Sequence, residues 1–362
     1  MSGFVPTYIL YTAALLLSAI ISMYAVKKLI FITSQRRIFD IPDNIRKIHG
    51  GQIPSLGGIG IFAGYLIGAS FFMYLEWYYV IAASVILFFT GIYDDIMNMR
   101  PSKKLVAQVI ASCVAVFLAD IRITSLYGIG GIGELPYAVS TILSITACTF
   151  FINVFNFMDG IDGLACMLAV LYTAILAVVF AGMGDKNLTG IALSLMGASF
   201  GLFYYNTPPA RIYMGDTGSM LLGFTIFTLT VACLGVYTSG QGNPLMPFVH
   251  SSQALCLLLL AVLFLPVYDA IRVFVLRVRK GISPLQADRA HIHYYLLDAG
   301  LSHSGAVLVI ALCNIALIAV TWLLQDLNPL VVLLVLAVLM TGVMLAIAKV
   351  RTKARAQQMK TL

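Results

Sequence analysis

Charged residues are scarce in this chain, and their scarcity decides the class of protein. Asp, Glu, Lys and Arg together make up 10% of the 362 residues, whereas hydrophobic residues make up 60%. A soluble chain of this length could not remove so much apolar surface from water, so a soluble globular domain is excluded. The composition predicts an all-α polytopic membrane protein whose spans hold about 20 residues each.

Paired cysteines are also lacking. The six cysteines lie in apolar segments without any short repeated spacing, at positions 113, 148, 166, 233, 256 and 313. This pattern indicates neither disulfides nor a cysteine metal site, so small core side chains are the simpler role. The net charge of +7 would indicate nucleic acid in a soluble protein. Here we expect no nucleic-acid partner, because the positive charges follow membrane topology.

Long polar segments are few, and apolar segments fill most of the chain. They predict eleven transmembrane helices in a single integral membrane domain over residues 1–350, followed by a basic cytoplasmic tail over residues 351–362. The predicted spans are 8–32, 56–75, 78–97, 104–120, 136–157, 163–183, 188–205, 218–238, 253–276, 305–324 and 328–350.

The lysines and arginines test the orientation of these spans. If the N-terminus lies outside, every Lys and Arg except Arg122 and Lys186 falls in a cytoplasmic segment. Such a bias is typical of membrane proteins, whose cytoplasmic loops are rich in Lys and Arg. An odd number of spans then places the C-terminus in the cytoplasm. The inner loops also carry nearly all the unusual polar residues, so we expect an active site on the cytoplasmic face.

The stretch from Asn153 to Leu164 places four polar side chains between two apolar spans. Two are amides, Asn153 and Asn156, and two are carboxylates, Asp159 and Asp162. An ionised carboxylate in hydrocarbon costs several kcal/mol, so such groups normally face a watery cavity or a cation. A polar loop that caps the next helix is the simpler alternative. A calcium loop is disfavoured because no Glu follows at the required distance.

Two further inner loops carry acids. Asp94 and Asp95 are adjacent, and Asp216 lies at the start of an apolar helix that Thr217 or Ser219 could cap. The N-terminus of a helix attracts anions, but Asp216 would repel a phosphate unless a divalent cation lay between them. Magnesium prefers carboxylates, substrate phosphates and waters. Each acid alone could be an ordinary residue at a helix end, but their convergence on one membrane face favours a cation site.

The remaining inner loops are basic. Arg289, His291 and His293 suit contacts to phosphate or sugar oxygens, and a zinc site would need a further ligand that the sequence does not offer. A second basic group could hold a phosphate at the membrane surface, although topology alone would also require positive charge there; it consists of Arg46, Lys47, His49 and Lys103.

These motifs together resemble one family. Asp94-Asp95, the Asn153–Leu164 stretch, Tyr213–Ser219 and Asp288–His293 occur in the order found in the polyprenyl-phosphate N-acetylhexosamine-1-phosphate transferases. The resemblance covers about residues 40–293 and is strongest to the bacterial undecaprenyl-phosphate N-acetylglucosamine-1-phosphate transferases. Their last motif has the form His-Ile-His-His, whereas Tyr294 stands at its fourth position here. Phospho-N-acetylmuramoyl-pentapeptide transferases carry a longer run of histidines, which is absent.

The resemblance implies a Mg-dependent enzyme of the bacterial inner membrane. It would transfer an N-acetylhexosamine-1-phosphate, foremost that of N-acetylglucosamine, from a UDP-sugar to undecaprenyl phosphate and release UMP. The lipid-linked product would start cell-envelope glycan synthesis. Mn²⁺ is an alternative metal, and both a two-step route through an aspartyl phosphate and a homodimer stay open.

The resemblance also implies roles for the candidate residues. Asp94 and Asp95 would be catalytic, with one of them deprotonating or orienting the lipid phosphate. Asp216 would bind the metal, assisted by Asn156 or Asp95. The basic group of Arg46, Lys47, His49 and Lys103 would hold the lipid phosphate. The nucleotide and sugar would be bound by Asn153, Asp159, Asp162, Asn206, Tyr213, Arg289, His291 and His293.

Two alternatives stay open at this point. The donor could be another UDP-N-acetylhexosamine or the muramoyl-pentapeptide nucleotide. A different class, a lipid or solute transporter, would use its acids to carry ions. The transporter is disfavoured because the acids crowd one membrane face and the sequence shows no internal repeat.

Overall fold

The computed structural model describes residues 6–36, 53–238, 248–283 and 289–358. Within those ranges the chain forms twelve α-helices, and its β pairing is limited to an isolated bridge between Ser125 and Glu134. The helices are α1 (Thr7–Arg36), α2 (Gly57–Ala69), α3 (Leu75–Met97), α4 (Pro101–Phe117), α5 (Tyr137–Met158), α6 (Leu164–Met183), α7 (Lys186–Asn206), α8 (Gly215–Thr238), α9 (Ser252–Arg279), α10 (Ile292–Asp298), α11 (His303–Leu323) and α12 (Pro329–Gln358).

Each of the eleven predicted segments overlaps one helix. In the described part of the chain, nine of these helices are long and apolar enough to cross a membrane. The other two are shorter, since α2 has 13 residues and α4 has 17. The prediction of an all-α multi-pass membrane protein is therefore confirmed. How many helices cross a bilayer, and in which direction, remains a prediction.

Two hydrogen bonds mark the opposite ends of the bundle. At one end, the Gly57 N–H at the start of α2 donates to the carbonyl of Tyr213, two residues before α8 begins (2.9 Å). At the opposite end, the Trp77 indole N–H near the start of α3 donates to the Tyr65 hydroxyl on α2 (2.8 Å). The end that holds the start of α8 also holds the predicted site residues that the structure describes, and we call it the acidic end.

Helix α8 lies at the centre of the bundle. Nearly every residue from Thr217 to Leu234 is buried, and α2, α3, α5, α6 and α9 pack around it. Two close approaches fix its first turn. A Cβ on Gly58 of α2 would lie 2.1 Å from the Gly218 nitrogen, and one on Gly91 of α3 would lie 2.3 Å from the Thr217 Cα. Glycine is required there because any side chain would collide with backbone.

Two features of the fold were not predicted. Residues 289–302 were predicted as loop, but they include the seven-residue helix α10. Helix α12 continues to Gln358, so residues 351–358 are helical, and the division into a membrane domain and a basic tail at residue 351 stays a prediction. Both features lie at the acidic end, where side chains of α10 contact the last turns of α12.

The contact between α3 and α8 can be tested at Gly91. We expect Gly91→Ala to lower the free energy of unfolding by about 1–3 kcal/mol, because the new methyl group would overpack the first turn of α8. Gly235→Ala on α8 is the matched control, since a Cβ there meets nothing within 4 Å among the described residues. Unfolding of both variants in detergent would be compared with the parent. Equal losses at the two positions would contradict the proposed close packing.

Candidate active site

Three carboxylates from two helices meet at the acidic end. Asp94 and Asp95 lie in the last turn of α3, and Asp216 lies in the first turn of α8. One carboxylate oxygen from each of the three lies within 4.8 Å of the others. Negative charges this close repel one another unless a cation lies among them. The cluster therefore has the oxygen donors and the charge that a divalent cation requires.

A lysine from the first turn of α4 already contributes positive charge to this cluster. Lys104 Nζ lies 2.6 Å from Asp94 Oδ2 and 2.6 Å from Asp216 Oδ2, so one ammonium bridges two carboxylates. Lys103, which was predicted to bind the lipid phosphate, is exposed on the neighbouring position of the helix. Successive residues on a helix point about 100° apart, so the choice between the two lysines depends on the helix register.

Asp95 serves as the cap of α8 although it belongs to α3. Its carboxylate accepts hydrogen bonds from the Asp216 N–H (2.7 Å), the Thr217 N–H (3.1 Å) and the Thr217 hydroxyl (2.5 Å). The first N–H groups of a helix have no partner within the helix, and a carboxylate there also interacts favourably with the helix dipole. Asp95 thus fixes the backbone that carries Asp216, and both of its oxygens are engaged.

The predicted amides lie on α5 beside this cluster. Asn156 Nδ2 donates to Ser219 Oγ, one turn after Asp216 on α8 (2.8 Å). Asn153 Nδ2 donates to Gln108 Oε1 on α4 (2.6 Å). Both amides are half-buried, so they connect α5 to its neighbours and still border the acidic end.

The loop after α5 is held by buried polar side chains. Asp162 Oδ2 accepts a hydrogen bond from the Ala210 N–H (3.2 Å) and lies 3.5 Å from His303 Nδ1 at the start of α11. Asn206 Oδ1 accepts from the Gly163 N–H (2.9 Å). The amide nitrogen of Asn206 donates to the carbonyl of Ile212 (2.9 Å). These contacts make Asp162 and Asn206 part of the framework around the site.

Asp159 and Tyr213 lie closer to solvent than Asp162, and both side chains are half-buried. Tyr213 is held by its backbone, because its N–H donates to the Pro54 carbonyl (2.8 Å). Burial raises the pKa of the Tyr213 hydroxyl, and the nearby negative charges of Asp162 and Asp159 raise it further. The phenol therefore stays protonated at neutral pH and can donate a hydrogen bond.

A second charged cluster joins α9 to α10. Asp269 of α9 is fully buried, and its Oδ2 lies 2.9 Å from His291 Nδ1. Its Oδ1 accepts from Arg272 Nη2 (2.7 Å), and Arg272 also donates to the carbonyl of Ala290 (2.5 Å). The Ile292 N–H, the first of α10, donates to the same carboxylate (3.1 Å). One buried carboxylate therefore orients His291 and caps α10.

His293 is fully buried next to this cluster. Its ring is parallel to that of His291, with centroids 5.7 Å apart, and a Cβ on Gly160 would lie 2.1 Å from its Nε2. Among the described residues, neither of its ring nitrogens has a hydrogen-bond partner. Burial lowers the pKa of His293 to about 3, and the neighbouring His291 lowers it as well. His293 is thus neutral and presses against the loop after α5.

Arg289 lies at the rim of the second cluster. Its Nη2 is 3.2 Å from Asp298 Oδ1, and its guanidinium lies over the Tyr294 ring at 5.1 Å. Tyr294 itself is buried against His293, with ring centroids 4.2 Å apart. The residue that departs from the His-Ile-His-His motif therefore packs on Arg289 and His293.

The structure brings most of the predicted site residues to one end of the bundle. Arg46, Lys47 and His49 lie outside the described residues. Four residues at this end were present in the sequence but received no predicted role, namely Lys104, Gln108, Asp269 and His303. The sequence could have indicated a role for Asp269, because an acid inside an apolar segment must have a partner.

The structure defines the class as a multi-pass membrane protein with acidic side chains gathered at one end of its helical bundle. Comparison with known proteins then identifies the family. The family model described as "Glycosyl transferase family 4" matches residues 77–234. The undecaprenyl-phosphate alpha-N-acetylglucosaminyl 1-phosphate transferase of Salmonella typhi is 30% identical over 280 residues, covering 74% of this chain and 72% of the relative. The chain belongs to this transferase family.

Two mycobacterial relatives carry names that describe the same kind of transferase. The decaprenyl-phosphate N-acetylglucosaminephosphotransferase of Mycolicibacterium smegmatis is 30% identical over 288 residues, covering 74% of this chain and 70% of the relative. The protein of the same name from Mycobacterium tuberculosis is 29% identical over 319 residues, covering 82% of this chain and 78% of the relative. The expected family resemblance is therefore confirmed.

The buried Asp269–His291 pair can be tested against an exposed pair of the same type. We expect Asp269→Asn to lower the free energy of unfolding by about 3 kcal/mol, because it leaves Arg272 and His291 without a buried negative partner. Asp326 and His250 form the matched pair at 2.8 Å, and both side chains are mostly exposed. Asp326→Asn should cost less than about 1 kcal/mol. Chemical unfolding in detergent would measure both, and similar small losses would contradict the role of Asp269.

Proposed function

We propose that this protein transfers N-acetylglucosamine-1-phosphate from a UDP-sugar to undecaprenyl phosphate. An oxygen of the lipid phosphate forms a new bond to the β-phosphorus of the donor. The bond from that phosphorus to the bridging oxygen breaks, and UMP leaves with the bridging oxygen. The family and the names of the relatives support the reaction. The observation that carries it in this chain is the convergence of Asp94, Asp95 and Asp216 beside Lys104.

The residues at the acidic end fit a magnesium ion. The three carboxylates and the amide of Asn156 offer oxygen donors, which Mg²⁺ prefers, and no sulfur donor belongs to the cluster among the described residues. Asp216 and Asp94 would hold the ion together with Asn156, because both oxygens of Asp95 are engaged by the start of α8. When bound, such an ion neutralises charge on the diphosphate oxygens. Mn²⁺ would suit the same donors.

We assign different roles to Asp94 and Asp95. Asp95 is engaged by the start of α8, so it positions Asp216. Asp94 lies beside the Lys104 ammonium and, besides holding the ion, would orient the lipid phosphate through Lys104. Lys104 would contact a phosphate oxygen and thereby take the role first expected for Lys103. Phosphoryl transfer needs charge neutralisation and in-line positioning more than covalent chemistry, and these groups supply both.

The loops around the cluster would bind the rest of the donor. Asp159 would hold the ribose or uracil, and Tyr213 offers a ring for stacking. Asn153 borders the same space. The framework contacts of Asp162 and Asn206 favour a positioning role for both over direct contact with the nucleotide.

The second cluster would bind the diphosphate and the sugar. Arg289 carries the charge that a diphosphate attracts, and His291 is oriented by Asp269. His293 is neutral and lies against the loop after α5, so it would act on the sugar side of the donor or through that loop. Tyr294 supports the Arg289 guanidinium and would influence which sugar is accepted.

The positive charges support an orientation in the bacterial inner membrane. We propose eleven spans with the N-terminus outside and the acidic end in the cytoplasm, since nearly all Lys and Arg then lie on the cytoplasmic side. A charged UDP-sugar would reach the site from water, whereas the polyprenyl chain of the acceptor would remain in the bilayer. Arg46, Lys47 and His49 belong to the same side and would hold the acceptor phosphate.

UMP release tests the reaction. Purified protein would receive undecaprenyl phosphate, Mg²⁺ and UDP-N-acetylglucosamine. We expect UMP only when both substrates are present, and chelation by EDTA should stop the reaction until Mg²⁺ is restored. Asp216→Asn should lower kcat by about 100-fold or more, because it removes charge from the reacting centre.

The matched control is Asp120→Asn. Asp120 is an exposed carboxylate outside the site, paired with Arg122 (2.6 Å), and asparagine tolerates its positive φ. This variant should retain the parent's rate. Parallel reactions with UDP-N-acetylgalactosamine or the muramoyl-pentapeptide nucleotide would identify a different donor if only they responded. Folded protein that released no UMP with any of the three donors would refute the proposal.

A further inference from the structure

Helix α12 extends beyond a membrane-length segment and reaches the candidate site. Its last turns bring Arg351 and Arg355 to Asp298 at the end of α10. Residues 351–358 follow the segment predicted to span the membrane and lie beyond the motifs that resemble the family. A cluster of basic residues after a last span normally serves topology or lipid contact. Here two of these residues have protein partners.

The contacts to Asp298 are close and directional. Arg351 donates to Asp298 Oδ2 from both Nε (3.0 Å) and Nη2 (2.7 Å), and Arg355 Nη2 donates to the same oxygen (2.7 Å). The Asp298 side chain is 15% exposed and that of Arg351 is 19% exposed. Charge-assisted hydrogen bonds that are shielded from water are stronger than surface ion pairs.

An aromatic ring adds a second contact between the helices. The Arg351 guanidinium lies over the Tyr295 ring of α10 at 4.0 Å, and Arg272 of α9 lies over the same ring at 5.2 Å. Cations over an aromatic face are attracted to its electrons. Helix α10 is therefore held from α12 through Arg351 and from α9 through Arg272.

The Asp298 carboxylate also contacts Arg289 of the candidate site. Asp298 Oδ1, the oxygen that Arg351 and Arg355 leave available, lies 3.2 Å from Arg289 Nη2. His291 and His293 lie at the start of the same helix, α10. A seven-residue helix has little stability of its own, so its position depends on such tertiary contacts.

We propose that Arg351, Arg355 and Asp298 form a clamp, called here the α12 clamp, that positions Arg289 and α10 for donor binding. This inference rests on the proposed function, because it assigns Arg289 to the diphosphate of the donor. The three members are positioning residues, since they act through Arg289 and the α10 backbone. Without the clamp, the donor would have to order Arg289 and α10 when it binds, which weakens binding.

Steady-state kinetics would test the clamp. We expect Asp298→Asn and Arg351→Gln each to raise the KM for UDP-N-acetylglucosamine by roughly tenfold, with kcat within about threefold of the parent. The double variant should resemble the worse single variant, because both changes break one interaction. Asp298→Glu retains the carboxylate and should recover most of the loss. Lys353→Gln removes an exposed charge from the same turn of α12 and should change neither constant.

Hydrogen exchange of residues 289–298 in the intact protein supplies a readout that does not need turnover. Exchange should speed up in Arg351→Gln and Asp298→Asn but not in Lys353→Gln, while the unfolding midpoint stays near the parent value. An active parent whose variants keep both the KM and the exchange rates would overturn the clamp. Faster exchange with an unchanged KM would also overturn it, because α10 would then move without affecting the donor. An inactive parent would refute the proposed function instead, and unchanged exchange would still overturn the clamp.

Discussion

The carboxylate of Asp95 connects the two helices on which the site depends. It accepts three hydrogen bonds from Asp216 and Thr217 in the first turn of α8, and Gly91 one turn earlier lets the α3 backbone approach the same turn. Because of this cap, Asp216 starts a buried central helix at a fixed distance from Asp94. Three acids are thereby held together against their mutual repulsion, with Lys104 offsetting part of the charge. The same charge makes the cluster suitable for a divalent cation and a diphosphate.

A second buried carboxylate organises the other half of the acidic end. Asp269 orients His291 and caps α10, while His293 presses against Gly160 in the loop after α5. That loop follows Asn156, which contacts α8 near Asp216. One short loop therefore links the cluster of Asp94, Asp95 and Asp216 to the cluster of Asp269, His291 and His293. In the proposed reaction, the first cluster offsets the charge of the diphosphate, while the second contacts both the diphosphate, through Arg289, and the sugar.

The helices were predictable from the sequence because long apolar segments have few alternatives in a membrane protein. The acids of the site were predictable because charge is costly in such segments. Helix α10 could not be predicted from the sequence, since its seven residues are stabilised by Asp269, Arg272 and Arg351 from other helices. Lys104 rather than Lys103 contacts the acids because of the helix register, which the sequence did not indicate, and the role of Lys103 stays a prediction. The framework contacts of Asn206 join a loop to a distant helix start, and no local pattern indicates such pairings.

Binding of Mn²⁺ to the purified protein tests the central claim most directly, because it probes the cluster without turnover. Electron paramagnetic resonance would follow free Mn²⁺ during titration of the parent and of the Asp94→Asn, Asp216→Asn and Asp120→Asn variants. We expect saturable binding to the parent and to Asp120→Asn, with affinity lowered by roughly tenfold or more in the other two. Equal affinity in the parent and in Asp216→Asn would contradict the account, because the metal would then bind elsewhere.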